Sequence, residues 1–128
     1  MPLINSKKVL YPDLSYKVCG LCFDTHNSLG RHKSEKSYGD MLEQLLTENK
    51  IKFEREKSLE SSFESEKSRR NIPDFIIEDK IILDIKAKRI VTKEDYYQMR
   101  RYLDTSKLKL GIIVNFRQKY LSPKRIAN

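Results

Sequence analysis

Two short apolar runs, at residues 72–78 and 81–88, lie so close together that they limit how the chain can fold. Both are rich in isoleucine, a β-branched residue that favours strands. Only Asp79 and Lys80 separate them, and a short polar connection between two such runs is typical of a β-hairpin. We therefore expect two antiparallel strands here, with the rest of the fold built around them.

The segments around this hairpin predict three helices and two or three further strands. Apolar residues recur at helical spacing in the first two helices, and Thr92 with Asp95 predicts a capping box at the start of the third. The expected helices are 13–28, 34–49 and 92–105, and the expected further strands lie within 51–59, 109–116 and 120–127. The order α-α-β-β-β-α-β, with a possible final strand, indicates an α/β (α+β) fold in which helices flank a mixed central sheet.

The length of 128 residues fits one domain, 1–128, in which residues 1–11 are expected to form a loose arm. The most apolar strand, 109–116, is expected at the centre of the sheet, and the polar segment 61–70 at an exposed hairpin tip. No run approaches the roughly 20 apolar residues that span a bilayer, and the first residues lack the apolar segment of a signal peptide. We therefore expect a cytoplasmic protein with no membrane partner.

A formal net charge of +8 favours polyanionic partners such as nucleic acids. The basic residues form short clusters along the chain rather than one long tail, which indicates a folded basic surface. The residues expected to contact nucleic acid are Arg31, Lys33, Arg69, Arg70, Lys88 and Arg89.

Cys19 and Cys22, together with His26 and His32, raise the alternative of a zinc site. Zinc sites of this type usually place the second ligand pair much farther along the chain. Cys19, Cys22 and His26 instead follow the spacing of one buried helix face. The favoured interpretation is therefore that the cysteines are free thiols packed in the core.

The expected hairpin carries three charged residues among its apolar ones. Asp84 and Lys86 are two positions apart, so they leave the second strand on the same face, and Asp74 can approach them from the first strand. Buried charges are costly unless they are paired or bind a metal. Two interpretations stay open: a structural ion pair at the sheet edge, or a site for Mg²⁺, which prefers one or two carboxylates with water and phosphate oxygens.

The same hairpin resembles the signature of the PD-(D/E)XK nuclease superfamily. Pro73-Asp74, nine intervening residues and Asp84-Ile85-Lys86 match that motif in full. The resemblance implies a restriction-endonuclease-like core, and the order of elements in that core agrees with the order expected here.

A closer resemblance is to the small GxxExxY family proteins within that superfamily, and it extends over about residues 10–126. Glu35 and Tyr38 match the glutamate and tyrosine of the family motif, whereas His32 replaces its glycine. Gln98 and Tyr102 match the Gln-x-x-x-Tyr motif of the helicase-associated branch of these nucleases.

These resemblances imply a Mg²⁺- or Mn²⁺-dependent endonuclease that hydrolyses phosphodiester bonds of nucleic acid, with DNA as the expected substrate. The expected catalytic residues are Asp74, Asp84, Lys86, Gln98 and Tyr102. The expected metal ligands are Glu35, Asp74, Asp84 and the backbone carbonyl of Ile85. Two alternatives stay open: a Holliday-junction-resolvase-like endonuclease, which would make the protein a homodimer, and a nucleic-acid-binding module with little turnover.

Overall fold

The computed structural model describes residues 9–59 and 72–128. Within these two ranges the chain forms three helices and five strands, in the order that the sequence predicts. The elements are α1 (Pro12–Leu29), α2 (Glu35–Glu48), β1 (Phe53–Arg55), β2 (Phe75–Ile77), β3 (Ile81–Lys86), α3 (Lys93–Ser106), β4 (Leu110–Asn115) and β5 (Lys124–Ala127). No helix in the described ranges is long and apolar enough to cross a membrane. The predicted arm, up to residue 8, and the predicted hairpin tip at 61–70 lie outside the described residues.

The five strands of the described chain form one mixed sheet in the order β1-β2-β3-β4-β5. β2 and β3 pair antiparallel with Phe75 opposite Leu83, which confirms the predicted hairpin. β3 and β4 run parallel with Lys86 opposite Asn115, so the carboxyl ends of both strands lie at one edge of the sheet. β4, which was predicted at the centre, is paired on both sides, but β3 occupies the middle position.

Helices cover both faces of this sheet, which confirms the predicted mixed sheet flanked by helices. α1 and α2 pack on one face, and α3 packs on the other. The β3 residues in the core beneath α1 and α2 are Ile81, Leu83 and Ile85. Ile82 belongs instead to the core beneath α3. Because side chains alternate along a strand, Asp84 and Lys86 share the face of Ile82 and are directed towards α3.

Local signals explain where two of the helices begin. Ser34 precedes α2, and its side chain accepts a hydrogen bond from Ser37 N at 3.1 Å. Thr92 precedes α3, and its backbone N donates to the Asp95 carboxylate at 2.8 Å. Both predicted helix starts are therefore confirmed.

The β2–β3 turn is centred on Glu78 and Asp79, one residue earlier than the predicted pair Asp79-Lys80. Both residues have a positive φ, and Lys80 N donates to Ile77 O at 2.9 Å. The Glu78 side chain accepts a hydrogen bond from Lys52 N at 2.9 Å, and Asp79 accepts one from Lys52 Nζ, also at 2.9 Å. These bonds to the segment before β1 help offset the steric cost of two non-glycine residues in the left-handed region.

α3 approaches β4 closely at Gly111. A Cβ at this position would collide with the side chain of Met99, which is fully buried. The close approach sets the distance between α3 and the sheet, and so the distance between α3 and the charged residues of β3.

Candidate active site

Asp74 and Asp84 meet where the β2–β3 hairpin opens. Asp74 lies one residue before β2, and the register of the hairpin puts it opposite Asp84. Asp74 Oδ2 accepts a hydrogen bond from Ile85 N at 2.7 Å, and Asp74 N donates a longer one to Asp84 Oδ1 at 3.4 Å. Asp84 is only 3% exposed. The structure thus brings together the two carboxylates that the sequence singled out.

The surroundings of these two carboxylates disfavour two negative charges. Burial raises the pKa of Asp74, and the neighbouring Asp84 carboxylate raises it further, to about 8. Asp84 Oδ2 is buried and has no hydrogen-bond partner among the described residues. A buried oxygen that accepts no hydrogen bond loses its hydration without full compensation. A cation bound between the two residues would relieve both effects.

Lys86 supplies a positive charge beside this pair. Its Nζ lies 3.1 Å from Asp84 Oδ2, an ion pair without hydrogen-bond geometry, and 3.8 Å from Asp95 Oδ1 on α3. Burial alone would lower the pKa of Lys86, but three carboxylates, Asp84 foremost and then Asp95 and Asp74, outweigh burial and raise it. Lys86 is therefore an ammonium held between carboxylates from the sheet and from the helix.

A cleft of about 610 Å³ opens beside Asp74 on the α2 side of the sheet. Glu35, in the first turn of α2, lines it together with Asp74 and Ile85. Asp84 and Lys86 face α3 and do not line it. Asp74 therefore borders both the cleft and the charged side chains of Asp84 and Lys86.

Arg55 of β1 lines the same cleft and is held there by α2. Its Nη1 lies 2.8 Å from Asp40 Oδ1 and 3.1 Å from Glu43 Oε1. Gly39 allows this approach, because a Cβ there would lie 2.5 Å from Arg55 Nη2. These contacts join β1 to α2 beside the candidate site, and no local sequence pattern indicated them.

The two carboxylates fit a hard divalent cation better than they fit zinc. Within residues 9–59 and 72–128, no three Asp, Glu, His or Cys side chains are grouped so that they could hold a metal ion. Zinc usually needs at least three protein ligands, whereas Mg²⁺ takes one or two carboxylates and completes its shell with water and phosphate oxygens. Asp74, Asp84 and the nearby Ile85 backbone meet the second requirement. Glu35 lies on the cleft wall and is not grouped with Asp74 and Asp84 as a third carboxylate, so its direct ligation of the same ion stays a prediction.

The alternative zinc site is not formed, and the preferred packing of the cysteines is confirmed. Cys22 is fully buried, Cys19 is half-buried, and both are free thiols. Burial raises the pKa of the Cys22 thiol. His26 Nε2 is hydrogen-bonded to Gln118 O at 2.8 Å, whereas His32 is exposed.

Tyr102 of α3 is tied to the segment that carries Asp74. The buried Tyr102 hydroxyl donates to Ile72 O at 3.1 Å, two residues before Asp74. Burial raises the pKa of Tyr102, and the charges of the two aspartates raise it further. Gln98 lies one turn earlier on α3 and is half-buried. The part that Gln98 and Tyr102 play in catalysis stays a prediction.

Several of the predicted nucleic-acid-binding residues lie near the carboxyl ends of β3 and β4. Arg31, in the α1–α2 loop, reaches this edge because its Nε donates to Arg117 O at 2.9 Å. Lys33 is exposed in the same loop, whereas Arg69 and Arg70 lie outside the described residues. We define the basic edge as Arg31, Lys88, Arg89 and Arg117.

Asp95 and Asn115 also contact the candidate site, although the sequence did not single them out for it. Asp95 Oδ2 lies 2.5 Å from Lys88 Nζ. Asn115, opposite Lys86, accepts a hydrogen bond from Lys88 N at 3.1 Å and donates one to Lys88 O at 2.7 Å. The capping box already placed Asp95 at the start of α3, but only the parallel pairing of β3 with β4 brings Asn115 here.

One comparison with known proteins agrees with this geometry. A family model of the PD-(D/E)XK nuclease superfamily matches residues 12–126, from the start of α1 into β5. No curated protein and no solved structure matches the chain significantly. The matched range covers most of the chain and contains Asp74, Asp84 and Lys86. The chain therefore belongs to the PD-(D/E)XK nuclease superfamily.

Proposed function

We propose that the protein is a metal-dependent endonuclease that hydrolyses phosphodiester bonds, with DNA as the favoured substrate and Mg²⁺ or Mn²⁺ as the cofactor. The observation that carries the proposal is the pair of the half-buried Asp74 and the buried Asp84, whose charges oppose each other beside the ammonium of Lys86. Membership of a nuclease superfamily supplies the class of reaction. Glu35 and Tyr38, which match the family motif, support placing the chain in the GxxExxY branch.

Each residue of the site then has a defined task. Asp74, Asp84 and the Ile85 carbonyl would hold the cation, with Glu35 as a further ligand from the cleft. When bound, such a cation polarises the phosphate and lowers the pKa of bound water. Lys86 orients the attacking water and stabilises the negative charge that develops on the phosphate. The water loses a proton as its oxygen bonds to phosphorus, the bond from phosphorus to the 3′ oxygen breaks, and that oxygen takes up a proton, which leaves a 5′-phosphate end and a 3′-hydroxyl end.

α3 supports this arrangement from the face of the sheet to which Asp84 and Lys86 are directed. Tyr102 holds the segment before Asp74 through its bond to Ile72 O. Gln98, one turn away, would assist the site or contact the phosphate. Both side chains leave the same helix face, since they are four residues apart.

Nucleic acid would reach the site along the basic edge. Lys88 and Arg89 follow β3 directly, and Lys86 is the last residue of that strand. Arg117 follows β4, whose carboxyl end lies beside that of β3 because the strands are parallel. Cations in such a row contact phosphates and therefore bind without reading the base sequence.

The proposal is tested by a cleavage assay with chelator, Mg²⁺, Mn²⁺ or Ca²⁺ on single-stranded, duplex and branched DNA and on RNA. Asp84→Asn keeps the shape of the side chain but removes its charge, so cleavage should fall roughly a hundredfold or more while folding persists. Asp104→Asn, the same change at an exposed position of α3, is the matched control and should cleave like wild type. Wild-type cleavage by the Asp84→Asn protein would show that the site is wrongly assigned.

The assay also separates the alternatives. A dimer that cuts branched DNA in preference to linear DNA would identify a resolvase-like enzyme. Tight binding with no cleavage of any substrate under any metal would identify a binding module. The retention of Asp74, Asp84 and Lys86 together supports turnover over binding alone, because hydrolysis needs all three groups and phosphate binding needs none of the carboxylates.

A further inference from the structure

A buried carboxylate lies between two lysines at the start of α3. Asp95 is 7% exposed, although it carries a charge. Its Oδ1 lies 3.8 Å from Lys86 Nζ, and its Oδ2 contacts Lys88 Nζ. The same Oδ2 accepts a hydrogen bond from Thr92 N at 2.8 Å. One side chain therefore connects the beginning of α3 to two cations of the β3 segment.

Helix capping alone does not account for this arrangement. The cap uses only Oδ2, which bonds Thr92 N and lies 3.2 Å from Thr92 Oγ1. Oδ1 is directed instead towards Lys86. A neutral amide could also accept the bond from Thr92 N, and burying a charge among charges is expensive unless the pairing is needed. The negative charge of Asp95 thus serves both lysines: Oδ2 pairs with Lys88 at the shorter distance, and Oδ1 faces Lys86, the lysine beside the carboxylates of the hairpin.

Lys86 has two carboxylate neighbours, and they come from different parts of the fold. Asp84 is on the same strand, 3.1 Å away, whereas Asp95 is on the helix beyond it. If Asp84 binds a divalent cation, its charge is shared with that cation, and the cation repels the lysine ammonium. A lysine side chain is long and flexible, so without another anchor it would move out towards solvent.

We propose that Asp95 is a positioning residue that keeps the Lys86 ammonium beside Asp84 when the site is loaded with a divalent cation. This inference rests on the proposed function, because it concerns the lysine of the same site. Asp95 itself touches neither water nor phosphate in the reaction. It acts through Lys86, and it ties the position of that lysine to the start of α3.

The experiment compares Asp95→Asn with Thr92→Ala. Asp95→Asn keeps an oxygen for Thr92 N but removes the charge that faces Lys86. Thr92→Ala weakens the cap and leaves the charge in place. With Mg²⁺ and one DNA substrate, Asp95→Asn should lower kcat about ten- to a hundredfold, the scale of a small misplacement of a reacting group, with KM changed by no more than about twofold. Thr92→Ala should lower the melting temperature and leave kcat close to wild type.

A second measurement follows Lys86 without relying on cleavage. Reaction of its amine with a lysine reagent is quantified by peptide mass spectrometry, with chelator and with saturating Mg²⁺. In wild type, Mg²⁺ should leave the labelling of Lys86 unchanged or slower. In Asp95→Asn, Mg²⁺ should accelerate the labelling several-fold, because the repelled ammonium reaches solvent.

The two measurements distinguish a wrong inference from a wrong function. If wild type cleaves and Asp95→Asn has the same kcat, the positioning role is refuted while the nuclease assignment stands. A loss of kcat that Thr92→Ala reproduces would reduce Asp95 to a capping residue. If wild type cleaves nothing, the proposed function fails, and the labelling alone tests the positioning role of Asp95. Labelling of Lys86 that does not depend on Mg²⁺ in Asp95→Asn would overturn that role. Labelling that Mg²⁺ accelerates in Asp95→Asn would uphold it.

Discussion

Replacing Asp74 by asparagine should stabilise the metal-free protein at alkaline pH, although it removes an expected metal ligand. Burial raises the pKa of Asp74, and the neighbouring Asp84 carboxylate raises it further, to about 8. In the unfolded chain an aspartate titrates at roughly 3.9. Between these two values the folded protein binds the proton more tightly than the unfolded chain does. The free energy of unfolding should therefore fall as the pH rises from about 4 to about 8, and level off above that.

The size of this effect follows from the two pKa values. Each pKa unit corresponds to about 1.4 kcal/mol, so a difference of about four units removes at most about 6 kcal/mol across the interval. Small domains are stable by about 5–15 kcal/mol, and even half of that loss is easily measured. The asparagine of the Asp74→Asn variant would keep an oxygen for the Ile85 N–H but could not become charged. The variant should lack this part of the pH dependence.

The measurement is urea unfolding at pH 5, 7 and 9, in chelator and again with saturating Mg²⁺. In chelator, Asp74→Asn should become progressively more stable than wild type as the pH rises. Asp104→Asn, with the same change on an exposed residue, should follow the wild-type curve. With Mg²⁺ the order should reverse at pH 9, because a cation that binds only the folded wild type stabilises it by mass action. Parallel curves for wild type and Asp74→Asn in chelator would refute the unfavourable charge pair from which the cation site is argued.

Two further substitutions, the second with a control, test the surroundings of the site. Lys86→Ala leaves the buried Asp84 without its ion-pair partner, so the metal-free variant should lose about 3–5 kcal/mol in urea unfolding; Mg²⁺ should restore most of that stability but not cleavage. A Lys86→Ala protein that is equally unstable with and without Mg²⁺ would show that the role of this lysine is purely structural. Gly111→Ala should cost about 1–3 kcal/mol because its Cβ would collide with buried Met99, whereas Gly20→Ala, with open space around the Cβ, should gain up to about 1 kcal/mol. A neutral result for Gly111→Ala would show that α3 can move away from β4.

The sequence predicted those features of the fold that local patterns determine. Helical periodicity, the cap at Thr92 and the pair of apolar runs predicted the order of elements and the hairpin, which in turn brought Asp74 and Asp84 together. The turn lies instead at Glu78 and Asp79, where Lys52, distant in sequence, bonds both side chains. Such contacts arise only when strands that are far apart along the chain pair with each other.

The remaining parts of the site depend on the same kind of non-local packing. Asp95 was predicted as a capping residue, and its contacts with Lys86 and Lys88 follow from how α3 packs over the sheet. Arg31 joins the basic edge through a hydrogen bond to the carbonyl of Arg117, which lies 86 residues later in the chain. Glu35 was expected beside the aspartates, but the structure shows only that it shares a cleft with Asp74. A sequence motif gives the residue types and their spacing along the chain, whereas the distances between helices and strands depend on how the core packs.

The charges of the site also explain why it would attract a phosphate only after it binds a cation. The charged group around Lys86 contains the carboxylates of Asp74, Asp84 and Asp95 and the ammonium groups of Lys86 and Lys88. Below the raised pKa of Asp74 this residue keeps its proton, so two negative charges face two positive ones and the group is neutral. Binding of a divalent cation displaces that proton, and three negative charges then face four positive ones. Binding thus makes the site more positive by about one charge, the two charges of the cation less the one of the displaced proton, and this change favours the phosphate of nucleic acid.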